Sequence, residues 1–325
     1  MPFQSTKPVL AILAAISLTT SAGIAGDAIT VDAKVAAYTQ VQGVAGSINS
    51  IGSDTLNNLM TFWAEGFNTM YPAVKIGVEG KGSSTAPPAL IQGTAQLGPM
   101  SRAMTKKEVD NFQAKFGYKP TQFKVALDGL AVFVHKDNPL TSLTLAQVDG
   151  IFSSTYKRGS KNLTLWSELG LTGWEGKAIS VYGRNSASGT YGFFKEEAMK
   201  KGDFKDTVKE QPGTSSVVQG VASDTNAIGY GGIGYLTSGV KALHLGEKAD
   251  KSVEPTYANC LDQSYPLARY LYVYINKPAG KPIDKTTQEF LRYVLSKEGQ
   301  DIVIKDGYFP LPADVVTEGL DALSK

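Results

Sequence analysis

The sequence predicts an α/β protein built as two lobes, and three observations carry that expectation. Strand-like and helix-like segments alternate from about residue 46 to the C-terminus. Two strand-like runs, Phe123 to His135 (FKVALDGLAVFVH) and Ala268 to Asn276 (ARYLYVYIN), exceed the usual five or six residues and are long enough to pass from one lobe into the other. The chain has 325 residues, about two domains' worth, with 42% apolar and 19% charged residues, the composition of a soluble globular protein.

From the N-terminus, Lys7 precedes an apolar run, Val9 to Leu18, and a small-residue stretch, Ser21 to Gly26. That order is a secretory signal over residues 1–25, cleaved after Ala25, and its apolar run is too short for a membrane span. No cysteine lies near the cleavage point, so the expected product is released without a lipid anchor. Residues 26–45 carry no clear period and are expected to be a loosely attached arm.

Leu56, Leu59, Met60, Trp63, Phe67 and Met70 have the i, i+3, i+4, i+7 spacing of an amphipathic helix. Val74, Ile76 and Val78 alternate as a strand. Thr105 with Glu108, and Thr144 with Gln147, are capping-box starts for two more helices. A strand is expected over Ala178 to Tyr182. Asp284 caps a late helix whose apolar face is Phe290, Leu291, Val294 and Leu295.

The net charge of +2 gives no electrostatic case for nucleic acid or an anionic membrane. Cys260 is the only cysteine, so no intrachain disulfide forms, and it reads as a small apolar residue. Of the two histidines, His135 precedes the turn signal Lys136 to Pro139 and reads as a surface residue, and His244 reads as strand-borne with no carboxylate nearby in sequence, so neither reads as the base of a triad. Ser154 to Lys157 fits S-x-x-K but lacks its companion motifs. No cluster suggests a metal, and no cofactor is expected. Gly229 to Gly234 (GYGGIG) fits a dinucleotide fingerprint, yet the residues after it read as turn and strand where a helix is required, so a glycine-rich sheet edge is expected.

Three strand-to-helix junctions remain: Ile51 to Leu56 (IGSDTL), Gly80 to Pro87 (GKGSSTAP) and Gly183 to Gly192 (GRNSASGTYG). Each combines glycine with Ser or Thr at the first helical turn. The first N–H groups of a helix lack internal partners and carry the positive end of its dipole. Glycine admits an oxyanion to the backbone, hydroxyls add uncharged donors, and Arg184 brings a guanidinium able to make two parallel bonds. Plain helix capping explains any one junction; three of them with an arginine point to a tetrahedral oxyanion.

These junctions, with the stretches Leu143 to Leu169, Asn226 to Tyr235 (NAIGYGGIGY) and Gly307 to Pro312 (GYFPLP), resemble the periplasmic phosphate-binding subunit of the ABC phosphate importer, a class II periplasmic binding protein. The resemblance runs from about Gly46 to the C-terminus. It implies mixed sheets flanked by helices, a ligand cleft between lobes joined by crossing strands, and lobes formed by 46–130 with 271–325 and by 131–270. It implies binding without chemistry, a monomer in the periplasm, and a permease as partner. Carried over by motif, phosphate contacts fall on Thr55, the backbone of Leu56, Ser83, Arg184, Ser188, Gly189 and Thr190, with Ser84 and Ser101 close by. Many relatives place an Asp after the second helix to accept the phosphate proton, but Gly98 to Met104 (GPMSRAM) has no carboxylate. Asp128 is the expected substitute and Asp54 the second, unless Asp54 caps the first helix. Arg102 is expected either to touch the ligand or to hold Asp128. Sulfate or molybdate binding, and phosphate binding in adhesion or sensing, are the remaining alternatives.

Overall fold

The computed structural model describes residues 28–278 and 280–324, and the signal segment expected over 1–25 lies outside them. The chain opens with a β-α-β unit: β1 (Gly46–Ile51), α1 (Asn57–Met70) and β2 (Val74–Glu79), with β1 and β2 parallel. Then follow α2 (Ala86–Gln92), β3 (Gly98–Met100), α3 (Lys106–Phe116) and the long β4 (Thr121–His135). The middle of the chain holds β5 (Ser142–Thr144), α4 (Leu145–Phe152), β6 (Ser180–Arg184), α5 (Gly189–Phe193) and β7 (Lys209–Gln211). It continues with α6 (Thr214–Ser223), β8 (Ala227–Gly232), β9 (Val240–Ala242), β10 (His244–Gly246) and α7 (Tyr257–Leu261). Strand β11 (Ala268–Ile275) returns, and α8 (Lys285–Val294), α9 (Lys297–Lys305) and α10 (Ala313–Ser324) finish the fold.

Two cores account for the two lobes. The first packs Trp63 and Phe67 of α1 on Phe123 and Val125 of β4, Val273 of β11 and Phe290 of α8. The second packs Val132 and Val134 of β4 on Phe152, Trp166, Phe194 and Tyr230, the last two stacked with ring centroids 4.0 Å apart. The cores change over within single strands. On β4, Ala126 belongs to the first and Leu127 to the second; Leu271 of β11 belongs to the first and Leu267, just before that strand, to the second. A strand pairing on both sides of a lobe boundary must be long, and the first half of β4 pairs with β11 while its second half pairs with β8 and β9. The resulting sheet runs β3-β11-β4-β8-β6-β7.

Thr105, Thr144 and Asp284 cap their helices as the sequence predicts. Three readings are corrected. The arm is not loose: Val31, Val35 and Val44 are buried in the first core, and the Lys297 N–H donates to Ala36 O at 2.9 Å. Irregular spacing hid it, because an extended segment buries residues without a helical or strand period. The glycines at 229–232 lie on β8 inside the sheet, between β4 and β6, not at an edge. They are small because neighbours press on them: a Cβ at Gly229 would lie 2.7 Å from Val217 Cγ1 and one at Gly231 2.5 Å from Thr214 Cγ2. Strand β6 reaches Arg184, two residues beyond expectation. The helix opening at Gly189 leaves α geometry at Phe193 and widens into a π-helical segment, Phe194–Ala198. Among the described residues no helix is long and apolar enough to cross a membrane.

Candidate functional site

The three glycine–hydroxyl junctions converge where the lobes meet. From the first lobe, Thr55 precedes α1 and is buried, its carbonyl accepting from Tyr308 Oη at 2.9 Å. Leu56 is the N-cap of α1 and fully buried. Ser83 follows Gly82, whose φ of +117° suits glycine, and its Oγ accepts from the Ser101 N–H at 3.0 Å. From the second lobe, Ser188 caps α5 by accepting from the Tyr191 N–H, and Gly189 and Thr190 form the buried first turn. The hydroxyls face one another: Thr55 Oγ1 lies 2.9 Å from Thr190 Oγ1, Ser83 Oγ 3.3 Å from Ser101 Oγ, and Ser101 Oγ 3.4 Å from Thr190 Oγ1. Ser84 lies at the rim, where its N–H and Oγ both donate to Ala187 O, at 3.2 and 2.9 Å.

Arg184 stands beside the ring at the end of β6, only 1% exposed. Its Nη1 donates to Thr214 Oγ1 at 2.6 Å and lies 3.0 Å from Asp54 Oδ2, and its Nη2 donates to Pro212 O at 3.1 Å. Its Nε is buried without a partner. Burial pulls the guanidinium below its ordinary value, and Asp54, foremost among its neighbours, pushes it back. The arginine is thus fixed on one edge and has donor capacity left on the other.

The carboxylates differ from expectation. Asp128 is fully buried and both its oxygens are engaged: Oδ1 accepts from the Ile233 N–H at 3.0 Å and Oδ2 from Arg269 Nε at 2.9 Å. Arg269 then reaches Thr190 Oγ1 with Nη2 at 3.0 Å and Ser101 O with Nη1 at 2.9 Å. Asp128 therefore reaches the ring through Arg269, where the sequence reading expects a direct phosphate contact. Asp54 does not cap α1 with its side chain; its Oδ2 accepts from the N–H and Oγ1 of Thr214, at 2.9 and 3.2 Å. Arg102 touches neither Asp128 nor the ring, because Glu108 holds it with two bonds of 2.8 Å.

Arg269 is the residue sequence reasoning missed, along with Thr214 and Tyr308. A signal existed. Arg269 and Asp128 each interrupt a long apolar run, and they lie directly opposite in the antiparallel register of β11 and β4. Cys260 is buried, which raises its thiol well above the ordinary value, as expected of an apolar-type cysteine.

Two α/β lobes joined by continuous strands, with polar groups of both lobes facing one cleft, define the class of two-lobed solute-binding proteins. A PBP superfamily domain matches residues 37–298. The phosphate-binding protein PstS of Pseudomonas aeruginosa is 53% identical over 304 residues, covering 93% of this chain and 94% of that protein. The PstS of Staphylococcus saprophyticus is 30% identical, covering 84% and 83%. Among solved structures, a phosphate ABC transporter substrate-binding protein of Clostridium perfringens with bound phosphate matches with a TM-score of 0.70 and 27% identity, covering 82% of this chain and all of that one. An ABC-type phosphate transport receptor of Vibrio cholerae matches with a TM-score of 0.63 and 28% identity over 82% of this chain and all of its own. This chain belongs to the PstS phosphate-binding protein family.

Proposed function

We propose that the protein captures inorganic phosphate between its lobes and delivers it to an ABC-type import permease, acting by binding alone. The observation that carries this reading is a ring of four hydroxyls drawn from both lobes, with the buried Arg184, its Nε unpartnered, paired to Asp54, the residue before Thr55 of that ring. Uncharged donors with one cation suit a doubly charged tetrahedral anion taken out of water. The relatives' names supply the identity of the anion.

In this reading, phosphate is held by Arg184, the hydroxyls of Thr55, Ser83, Ser188 and Thr190, and the backbone of Leu56 and Gly189. Ser101 completes the ring. Residues 46–130 with 271–325 form one lobe and 131–270 the other, with hinge closure around the ligand. The N-terminal 25 residues direct export, and the released monomer works in the periplasm. The test is titration calorimetry of anion-stripped mature protein with phosphate and then sulfate. Phosphate heat without sulfate heat is the expected result. Equal responses would point to a general oxyanion carrier, and silence with phosphate would overturn the reading.

A further inference from the structure

Asp54 belongs to the first lobe, yet every hydrogen bond of its carboxylate ends on the second. Its Oδ2 pairs with Arg184 Nη1 and accepts from the N–H and hydroxyl of Thr214, the first residue of α6. Helix α6 needs that acceptor, since its N-cap is Gly213, which has no side chain to supply one. A carboxylate at a helix N-terminus also meets the positive end of the dipole. One side chain thus serves as a cap and a counter-ion across the cleft. The Asp54 backbone adds to this contact, its carbonyl accepting from Tyr235 Oη at 3.0 Å.

From this geometry we infer that Asp54 is a closing latch and a positioning residue for Arg184, an inference that rests on the phosphate-binding reading above. These bonds exist only with the lobes together, so Asp54 favours the closed arrangement before counting any ligand contact. In that arrangement it draws Nη1 toward Thr214 and itself, while Pro212 O holds Nη2. The guanidinium plane is then fixed, and Nε is left without a partner. Apparent affinity scales with the population of the binding-competent state, so the latch tightens binding without touching the anion. The opposing expectation is explicit: if Asp54 served only to neutralise Arg184, removing its charge would tighten anion binding.

The test uses Asp54→Asn, which keeps an acceptor for α6 but drops the ion pair, and Asp54→Ala, which removes both. Thr214→Val probes the same contacts from the other lobe, in case Asp54→Ala does not fold. Phosphate calorimetry, stopped-flow release and small-angle scattering of the phosphate-stripped proteins are the readouts. Graded weakening is expected, about 10-fold for Asp54→Asn and about 100-fold for Asp54→Ala, carried by faster release. The stripped variants should also show larger radii of gyration than wild type. Unchanged or tighter phosphate binding in both Asp54 variants would overturn the latch. If the wild type binds no phosphate, the functional reading falls, and scattering alone decides: expansion of the stripped variants supports the latch, and unchanged dimensions overturn it.

Discussion

Gly189 lies where the lobes press closest, and adding one methyl there tests the site directly. An alanine Cβ at this position would overlap Ser83 Oγ and sit 2.7 Å from both Ser83 Cβ and Ser101 Oγ. Two escapes exist. The lobes can separate by about 1 Å to restore van der Waals distance. That breaks the two Ser84 bonds to Ala187 O and the Thr55–Thr190 bond, at about 0.5–1.5 kcal/mol each. Alternatively Ser83 turns away and leaves the buried Ser101 N–H without its acceptor, which costs about 1–3 kcal/mol. The second route is the cheaper and takes the Ser83 hydroxyl out of the site, so Gly189→Ala should weaken phosphate binding about 5- to 100-fold, and the unpaired Ser101 N–H should lower the melting temperature by a few degrees. Gly192→Ala is the control. Its Cβ would meet only the Arg102 side chain, at 3.3 and 3.4 Å, which can shift. Calorimetry reads both. Wild-type affinity in Gly189→Ala, or a larger loss in Gly192→Ala, would refute the placement of the anion between Ser83 and Gly189.

Further expectations follow from the same geometry. Arg184→Ala removes the buried guanidinium proposed to hold the anion and should weaken phosphate binding by at least about 100-fold in calorimetry, with circular dichroism unchanged. Asp128→Asn leaves Arg269 as a buried cation without its counter-ion. It should cost about 3–5 kcal/mol in denaturant unfolding and weaken phosphate binding through Thr190, whereas wild-type stability would contradict the pairing. Asp306 ends α9 half-buried, and burial raises its carboxyl to about 7 from the ordinary 3.8. The folded state therefore binds the extra proton, so this contribution is full below about pH 4 and lost as pH rises through about 7. Asp306→Asn should flatten that decline and raise stability at pH 8 by about 1–2 kcal/mol after solvent screening, read from melting curves across that range.

Much of the architecture is legible in the linear chain because it rests on local rules. The capping boxes at Thr105 and Thr144 need only residues three apart, and the face of α1 needs only helical spacing. The two crossing strands announce themselves by length, since a strand serving two cores must outrun either one. The hydroxyls at Thr55, Ser83, Ser188 and Thr190 follow from the same logic, because each sits at a helix start whose N–H groups lack partners.

The charged groups were not legible in that way. Asp128 and Asp54 each had plausible local roles, and each took a partner far along the chain: Arg269 lies 141 residues from Asp128, and Thr214 lies 160 from Asp54. A buried charge is tolerated only where opposite charge or donors surround it, and that is a property of the packed lobes. The sequence by itself determined the fold class, the crossing strands and the hydroxyl-bearing helix starts that meet between the lobes, since backbone periodicity and helix ends are local. Only the tertiary structure decided which carboxylate answers which arginine, because Coulomb pairing depends on distance through space and not along the chain.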